Sequence, residues 1–403
     1  MKVLHLLDEI CYSGAEVMLH DAHETFAELG ISGTVLATGQ EVGPYASTLA
    51  DRGYAVEHIP CSKSLAYFVR LFAFLRRQDF DVIHIHRERA YFYHALVARL
   101  ASRAKLVRTY HDVFLQYSSS KRLIRRIQRL IARRVLGVSG VAIGDSVREV
   151  ELMYFSNPCT VIYNWIDDDV FRPPSQVERD LARRRFGLSR NELVLCVVGT
   201  CNEKKRHVDV FDAVAETTSE ESFVRLLHRG SGSETDSERA YVRNLGIQEN
   251  VIFLPYQKDL RAIYWASDCL VLSSRWEGLG DVIIEGIACG LPAILFDGWG
   301  MKDFKPSHQR IYGYWLDPEK GRVSDAVRDF AAKSAAERSF MRQHARSFFE
   351  SKFSRDTSLA RLVCLYRGQS VLAYPPRSRG MCECEGAATG QGTPAASSAR
   401  TCS

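Results

Sequence analysis

Short apolar runs alternate with stretches in which apolar residues recur every three or four positions, from the first residues to about position 370. Lys2–Leu7, Lys105–Tyr110 and Leu193–Val198 have the length and composition of strands buried on both faces. Val17, Leu19, Ala22, Phe26 and Leu29 mark one face of a helix behind the first of them. The pattern predicts further strands at Thr34–Thr38, Ala55–Ile59, Val82–His86, Gly137–Ile143 and Thr160–Tyr163. A second series covers Phe223–His228, Val251–Phe253, Cys269–Leu272, Ala293–Phe296 and Ile311–Trp315. Strands alternating with helices in this way predict an α/β fold built on parallel sheets.

Between the two series lie an acidic turn, Asp167-Asp168-Asp169, and the pair Pro173-Pro174, which cannot continue a helix or a central strand. Two α/β domains in tandem are the simplest organisation, with residues 1–172 forming one and 173–349 the other. The last helical segment, about 350–372, is long enough to cross back onto the first domain. Residues 374–403 are rich in Pro, Gly, Ser and Arg with almost no large apolar residue, so a disordered tail is expected.

Composition changes this picture little. The 403 residues suffice for two cores, and a net charge of +5 is modest. The absence of any run of eighteen apolar residues argues against a transmembrane helix, and the N-terminus reads as a strand, not a signal peptide. Eleven cysteines are scattered without a Cys-x-x-Cys pair; Cys196, Cys269 and Cys289 lie in apolar segments and read as buried free thiols of a cytoplasmic protein.

The candidate chemistry is concentrated in the stretch from Arg275 to Pro292. Glu277 and Glu285 are eight positions apart, which on one continuous helix would leave them roughly 80° apart. Gly278 and Gly280 instead break the chain into a turn, with Asp281 placed to cap a short helix that Gly290 and Pro292 end. Two carboxylates beside a helix N-terminus offer acceptors for sugar hydroxyls and donors for phosphate. Other segments are suggestive only in company. Ser13-Gly14-Ala15-Glu16 follows the first strand, where a small-residue turn either admits a ligand or merely turns the chain. His86 and His111 end strands at the edge where parallel sheets bind ligands, whereas His84 reads as packed. Thr200 through His207 place Lys204, Lys205 and Arg206 after the first strand of the second series, and Gly230 follows the next strand. No Gly-x-Gly-x-x-Gly fingerprint is present, which counts against an NAD-dependent oxidoreductase.

Lys121–Arg134 carries seven basic residues and no acid, with Leu123, Ile124, Ile127, Leu130, Ile131 and Val135 on one helical stripe. The expectation is that the stripe packs on the domain's own sheet and leaves a cationic face. That face suits an anionic membrane surface better than nucleic acid, because no aromatic residues interleave the arginines.

Together these segments resemble the retaining glycosyltransferases of the GT-B fold, in particular glycosyltransferase family 4. The resemblance rests on Glu277…Glu285 with Ala288–Pro292, and in order on Ser13–Glu16, Asp81–His86, Tyr110–Asp112, Val161–Asp167, Glu203–Lys205, Leu245-Gly246 and Ala266–Asp268. It implies two Rossmann-like domains facing each other across a cleft, the first on the acceptor side and the second holding the nucleotide sugar. It implies transfer of a hexose from a nucleoside diphosphate sugar, UDP by default, to an acceptor hydroxyl with retention, in polysaccharide, lipopolysaccharide or glycolipid synthesis. By the same resemblance Lys205, Glu277 and His111 are catalytic. Gly14, Thr200, Lys204, Arg206, Gly230, Gly278, Leu279, Gly280 and Glu285 bind the donor, Glu285 at the ribose, and Ser13 and His86 lie on the acceptor side. No metal and no cofactor are implied, because lysines and helix N-termini take that charge-stabilising task. The acceptor is a sugar or a lipid-linked sugar, reached from the cytoplasm or from the cytoplasmic face of the inner membrane. Three positions depart from the family pattern: Thr200 where an arginine is usual, Ser13 for a frequent glycine, and Asp303 for a frequent glutamate. A nucleotide-sugar epimerase of the same build, or a nucleotide-sugar-binding homologue without catalysis, are the alternatives.

Overall fold

The computed structural model describes residues 1–218, 223–257, 259–306 and 312–371. The expected tail, 374–403, lies outside them. Seven parallel strands form the first sheet: β1 (Lys2–Leu7), β2 (Ser32–Ala37), β3 (Ala55–His58), β4 (Val82–Ile85), β5 (Lys105–Tyr110), β6 (Val138–Ala142) and β7 (Thr160–Val161). Their spatial order is β3-β2-β1-β4-β5-β6-β7. Six more form the second: β8 (Leu193–Val198), β9 (Val224–Arg229), β10 (Val251–Leu254), β11 (Cys269–Leu272), β12 (Ala293–Phe296) and β13 (Gly313–Leu316), in the order β10-β9-β8-β11-β12-β13. The central strands are buried along their length, as the uninterrupted apolar runs require. In each sheet the order reverses once, between β1 and β4 and between β8 and β11. Such a reversal opens a crevice at the carboxyl ends of the strands.

The helix Arg355–Tyr366 lies apart in sequence from the first sheet but packs on it, with Leu359, Leu362 and Val363 in one apolar cluster with Val3, Val82, Val107 and Val141. Its last residue is tied down as well: the Tyr366 hydroxyl stands 2.6 Å from Nδ1 of the buried His84. His84 is thus packed, as expected of it.

The helix Ser119–Arg134 is laid down the other way from expectation. Arg129 and Ala132 are its buried residues, while Leu123 is 58% exposed and Val135, just beyond it, 72%. Arg129 makes two 2.7 Å hydrogen bonds to the buried Glu151 and sits 3.9 Å from the Phe155 ring centre. That forked contact turns the basic edge inward, so the apolar stripe faces out. The flanking helices add to it: Leu65, Val69 and Phe72 on Leu65–Gln78, and Tyr93, Leu96 and Leu100 on Tyr91–Ala101, are exposed too.

Candidate active site

Both crevices open into one cleft of about 780 Å³, lined from the first half by Ser13, Gly14, His86, Glu88, His111 and Asp112. Thr200, Lys204, Lys205, Glu277–Asp281 and Glu285 line it from the second. The volume is that of a small-molecule site.

The loop after β8 is shaped by local chemistry. The Asn202 side chain accepts a hydrogen bond from the Lys205 backbone N–H at 3.2 Å, closing the short 3₁₀ turn Glu203–Lys205. From the neighbouring β11 end, the Ser273 hydroxyl reaches the Lys205 and Arg206 carbonyls at 3.0 and 2.8 Å. Lys205 Nζ then meets Glu277 Oε1 at 2.6 Å, and Lys204 Nζ stands 3.4 Å from Oε2. Burial opposes ionisation of Glu277, but the two lysines hold its carboxyl below the usual range. Glu277 is fixed through its backbone, donating to the Trp299 carbonyl at 2.8 Å.

Gly278 and Gly280 have separate reasons to be glycine. A Cβ on Gly278 would lie 2.1 Å from the His111 carbonyl oxygen, so the two halves touch backbone to backbone there. Gly280 has φ +83°, the left-handed region, and is itself the cap of the helix Asp281–Ala288. The expectation that Asp281 caps this helix is therefore corrected. Asp281 is the first helical residue, and its carboxylate accepts from Asn164 Nδ2 at 2.7 Å. Glu285, one turn on, is half-buried, and its Oε2 accepts from the Tyr264 hydroxyl at 2.7 Å. Burial raises its carboxyl to about 8, so it is mostly protonated at neutral pH.

On the first half, Ser13 precedes the helix Gly14–Glu28 and its hydroxyl donates to Glu16. Gly14 is indeed a point of close approach, but to Asp281: a Cβ there would lie 2.2 Å from the Asp281 carboxylate. His111 belongs to a file of imidazoles. Its Nε2 is 3.4 Å from His86 Nδ1, and His86 Nε2 is 3.3 Å from His5 Nδ1. Burial lowers His111 and His5 to about 3 and His86 likewise far down, so the file is neutral at physiological pH.

Two of the expected donor residues, Arg206 and Gly230, do not line the cleft, and Asp303, a departure from the family pattern, is engaged elsewhere. Arg206 has φ +52° and sends its guanidinium to Asp209 at 2.7 and 3.0 Å and to the Pro318 carbonyl at 3.1 Å. It borders a different cavity and leaves Lys204 as the neighbour of Lys205. Gly230 packs on the loop: a Cβ would lie 2.2 Å from the Gly199 carbonyl oxygen, so the missing side chain lets two strand ends meet. Asp303 accepts from the Ser146 backbone N–H at 3.0 Å and from its hydroxyl, at the N-terminus of the helix Asp145–Phe155 in the first half. Residues not singled out from sequence also line the cleft. Arg229, at the end of β9, reaches the Gln257 carbonyl at 2.9 Å and lies over the Tyr256 ring. Glu88 pairs with the buried Arg108 at 2.5 Å. A charge at a strand's carboxyl end was the available signal for Arg229; for Glu88 only the fold supplies one.

A family model described as "Glycosyltransferase Family 4" matches residues 12–170, and one described as "Glycosyl transferases group 1" matches 178–348. N-acetyl-alpha-D-glucosaminyl L-malate synthase of Bacillus anthracis is 28% identical over 226 residues, which span 54% of this chain and 57% of that enzyme. UDP-Gal:alpha-D-GlcNAc-diphosphoundecaprenol alpha-1,3-galactosyltransferase of Escherichia coli is 24% identical over 270 residues, 64% of this chain and 69% of that one. Among solved structures, a glycosyltransferase of Rickettsia africae superposes with a TM-score of 0.79 at 18% identity, covering 92% of this chain and 98% of that one. Anabaena HepE in complex with UDP and glucose gives 0.77 at 18%, covering 91% and 99%. The two sheets facing a cleft are thus the GT-B fold.

Proposed function

We propose, since this chain belongs to glycosyltransferase family 4 and is a GT-B glycosyltransferase, that it moves a hexose from a nucleoside diphosphate sugar to an acceptor hydroxyl with retention. The observation that carries the reading is the convergence of Lys204, Lys205 and Glu277 beside the N-terminus of Asp281–Ala288, with Glu285 one turn inside. The diphosphate takes the place of Glu277 as the partner of Lys205, aided by Lys204 and the backbone N–H groups of Gly278–Gly280. Glu285 accepts from the ribose hydroxyls, Glu277 from hydroxyls of the transferred sugar, and His111 and His86 face the acceptor side. The bond from the sugar's anomeric carbon to the leaving phosphate oxygen breaks as the bond to the acceptor oxygen forms on the same face. The acceptor proton passes to the departing diphosphate, so no side chain has to act as general base. The neutral state of the histidine file agrees with that division of labour. Lysines and helix N–H groups carry the leaving charge, so the reaction needs no metal.

UDP is favoured as the nucleotide, on the names of the E. coli relative and of the Anabaena complex. A thermal-shift series of nucleoside diphosphates and then of their sugars tests the reading, because a ligand of the folded state raises its melting temperature. UDP and one UDP-sugar are expected to stabilise the chain, and a shift from NAD alone would overturn the assignment. Incubation with that sugar in the absence of acceptor separates the epimerase alternative, which yields a new isomer; binding with neither transfer nor hydrolysis marks a non-catalytic homologue.

The outward apolar stripe favours a membrane-borne acceptor. No helix among the described residues is long and apolar enough to cross a membrane. An exposed row of Leu123, Ile124, Ile127 and Leu130, flanked by Lys121, Arg126 and Arg134, instead suits lying in the interface of an anionic bilayer. Binding at low salt to vesicles containing phosphatidylglycerol but not to phosphatidylcholine vesicles is the expected result, and equal binding to both refutes it.

A further inference from the structure

Next to the lysine loop, four side chains from four separate segments meet in the interior of the second half. Cys201 follows Thr200 in the loop after β8, and His207 opens the helix His207–Thr217. His228 lies near the end of β9, and Glu238 belongs to the helix Thr235–Asn244. All four are buried, and one ligand atom from each falls within 4.8 Å of the others. His207 Nδ1 is 2.9 Å from Glu238 Oε1, and His228 Nε2 is 3.2 Å from both His207 Nδ1 and Glu238 Oε2.

We propose that Cys201, His207, His228 and Glu238 form a binding site for a zinc ion that staples the lysine loop to the sheet behind it. Zinc takes one thiolate, two imidazoles and a carboxylate at bond lengths that set neighbouring ligand atoms about 3.3–3.6 Å apart in a tetrahedron. These three contacts open by a few tenths of an ångström to reach that spacing, and the widest separations in the cluster, up to 4.8 Å, close by about 1 Å. Glu238 Oε2 makes no well-angled hydrogen bond among the described residues, although His228 Nε2 stands beside it. A thiolate ligand selects zinc over magnesium or calcium, and four protein ligands leave no open position, so the ion is structural. A cavity of about 740 Å³ bordering His207 and Glu238 gives it a way in.

The consequence reaches the cleft through the chain itself. Cys201 stands between Thr200 and Lys205, and its backbone is already pinned, N–H to the Ser231 carbonyl at 3.1 Å and carbonyl to the Glu234 N–H at 3.0 Å. A metal on its sulfur fixes the side chain as well. The site stands independently of the transferase reading, since metal content and nucleotide binding are measured separately.

The test uses the full chain, stripped with chelator under reducing conditions and titrated with Co²⁺ as a spectroscopic substitute for zinc. The expected result is about one ion per chain, with tetrahedral ligand-field bands and a thiolate-to-cobalt charge-transfer band. Addition of Zn²⁺ bleaches those bands and raises the melting temperature. Cys201→Ser removes the charge-transfer band, and Cys201→Ser with His228→Gln removes binding. A stripped chain that gives no tetrahedral cobalt spectrum, or one lacking the thiolate band, overturns the proposal. So does a folded double variant that still binds like the parent. The parent's spectrum decides the matter even where a variant does not fold.

Discussion

Two amphipathic helices of this molecule are set on their sheets with opposite faces inward. Asp281–Ala288 buries Ile283, Ile284 and Ile287 and brings Glu285 to the cleft. Ser119–Arg134 has the stronger apolar stripe, yet it buries Arg129 and turns Leu123, Ile124 and Ile127 to the outside. An apolar stripe therefore says that a helix has a face seeking cover, not that the domain's own sheet provides it. What decides the orientation of Ser119–Arg134 is the Arg129–Glu151 fork, closed over aromatic rings, which no apolar side chain could replace as a partner for a buried carboxylate. What decides Asp281–Ala288 is the ordinary burial of isoleucine.

The most damaging way to break this comparison is to remove one partner of the fork. Glu151→Ala leaves Arg129 buried and unpaired, and a loss on the order of 3–5 kcal/mol in urea denaturation is expected. Replacing both by apolar residues of similar volume should restore much of it; if the single variant is as stable as the parent, the fork does not set the helix. Beside the other helix, in the loop after β8, the test is chemical. Lys205→Ala removes the donor facing Glu277 and should lower kcat about 10²-fold, with a smaller change in KM. Unchanged turnover would remove Lys205 from the reaction.

Glu285 supplies a pH test of the inward helix. Its carboxyl is raised to about 8, and ribose hydroxyls that donate to it favour the ionised form. Nucleotide binding then releases a proton, so affinity should rise roughly tenfold per pH unit up to about 8 and level off above it. Stability of the empty chain runs the other way. A carboxyl raised on folding stabilises least where it must ionise, so the fold loses stability as pH climbs from the usual carboxylate range towards 8. Glu285→Gln should flatten both profiles, and calorimetry in that variant matching the parent would exclude the role. The smallest effect on the fold is expected from Ile124→Glu with Ile127→Glu. Exposed positions should change stability by about 0.5 kcal/mol or less, while binding to phosphatidylglycerol vesicles falls severalfold. A large loss of stability would mean that the stripe is covered after all.

Much of the fold was legible because parallel strands are apolar along their whole length. The predicted Lys2–Leu7, Lys105–Tyr110, Leu193–Val198, Cys269–Leu272 and Ala293–Phe296 are β1, β5, β8, β11 and β12 to the residue. Ends drifted where a strand is short or at an edge: Thr160–Tyr163 shrinks to the two residues of β7, and of the expected Ile311–Trp315, whose first residue lies outside the described ones, the strand is Gly313–Leu316. The pairing of Glu277 with Lys205 was within reach because each sits at a strand-to-helix loop of the same sheet. The choice between Lys204 and Arg206 was not, since it depends on a left-handed backbone at Arg206 that swings its side chain to Asp209. Nor were Glu88, Asn164 or the Cys201 cluster, whose partners lie 20 to 117 positions away or in other elements and become neighbours only once the sheets are wound.

The Asp303 carboxylate has a mechanical consequence. It supplies the negative charge that the amino end of Asp145–Phe155 attracts, and it does so from the opposite half of the molecule. Lys302 with Glu149, at 2.6 Å, fastens the same two elements a helical turn away. Any rocking motion that admits a bulky donor and keeps these contacts must swing about them, as a door does about its pin. The separation it produces is then widest at the parts of the cleft farthest from Ser146.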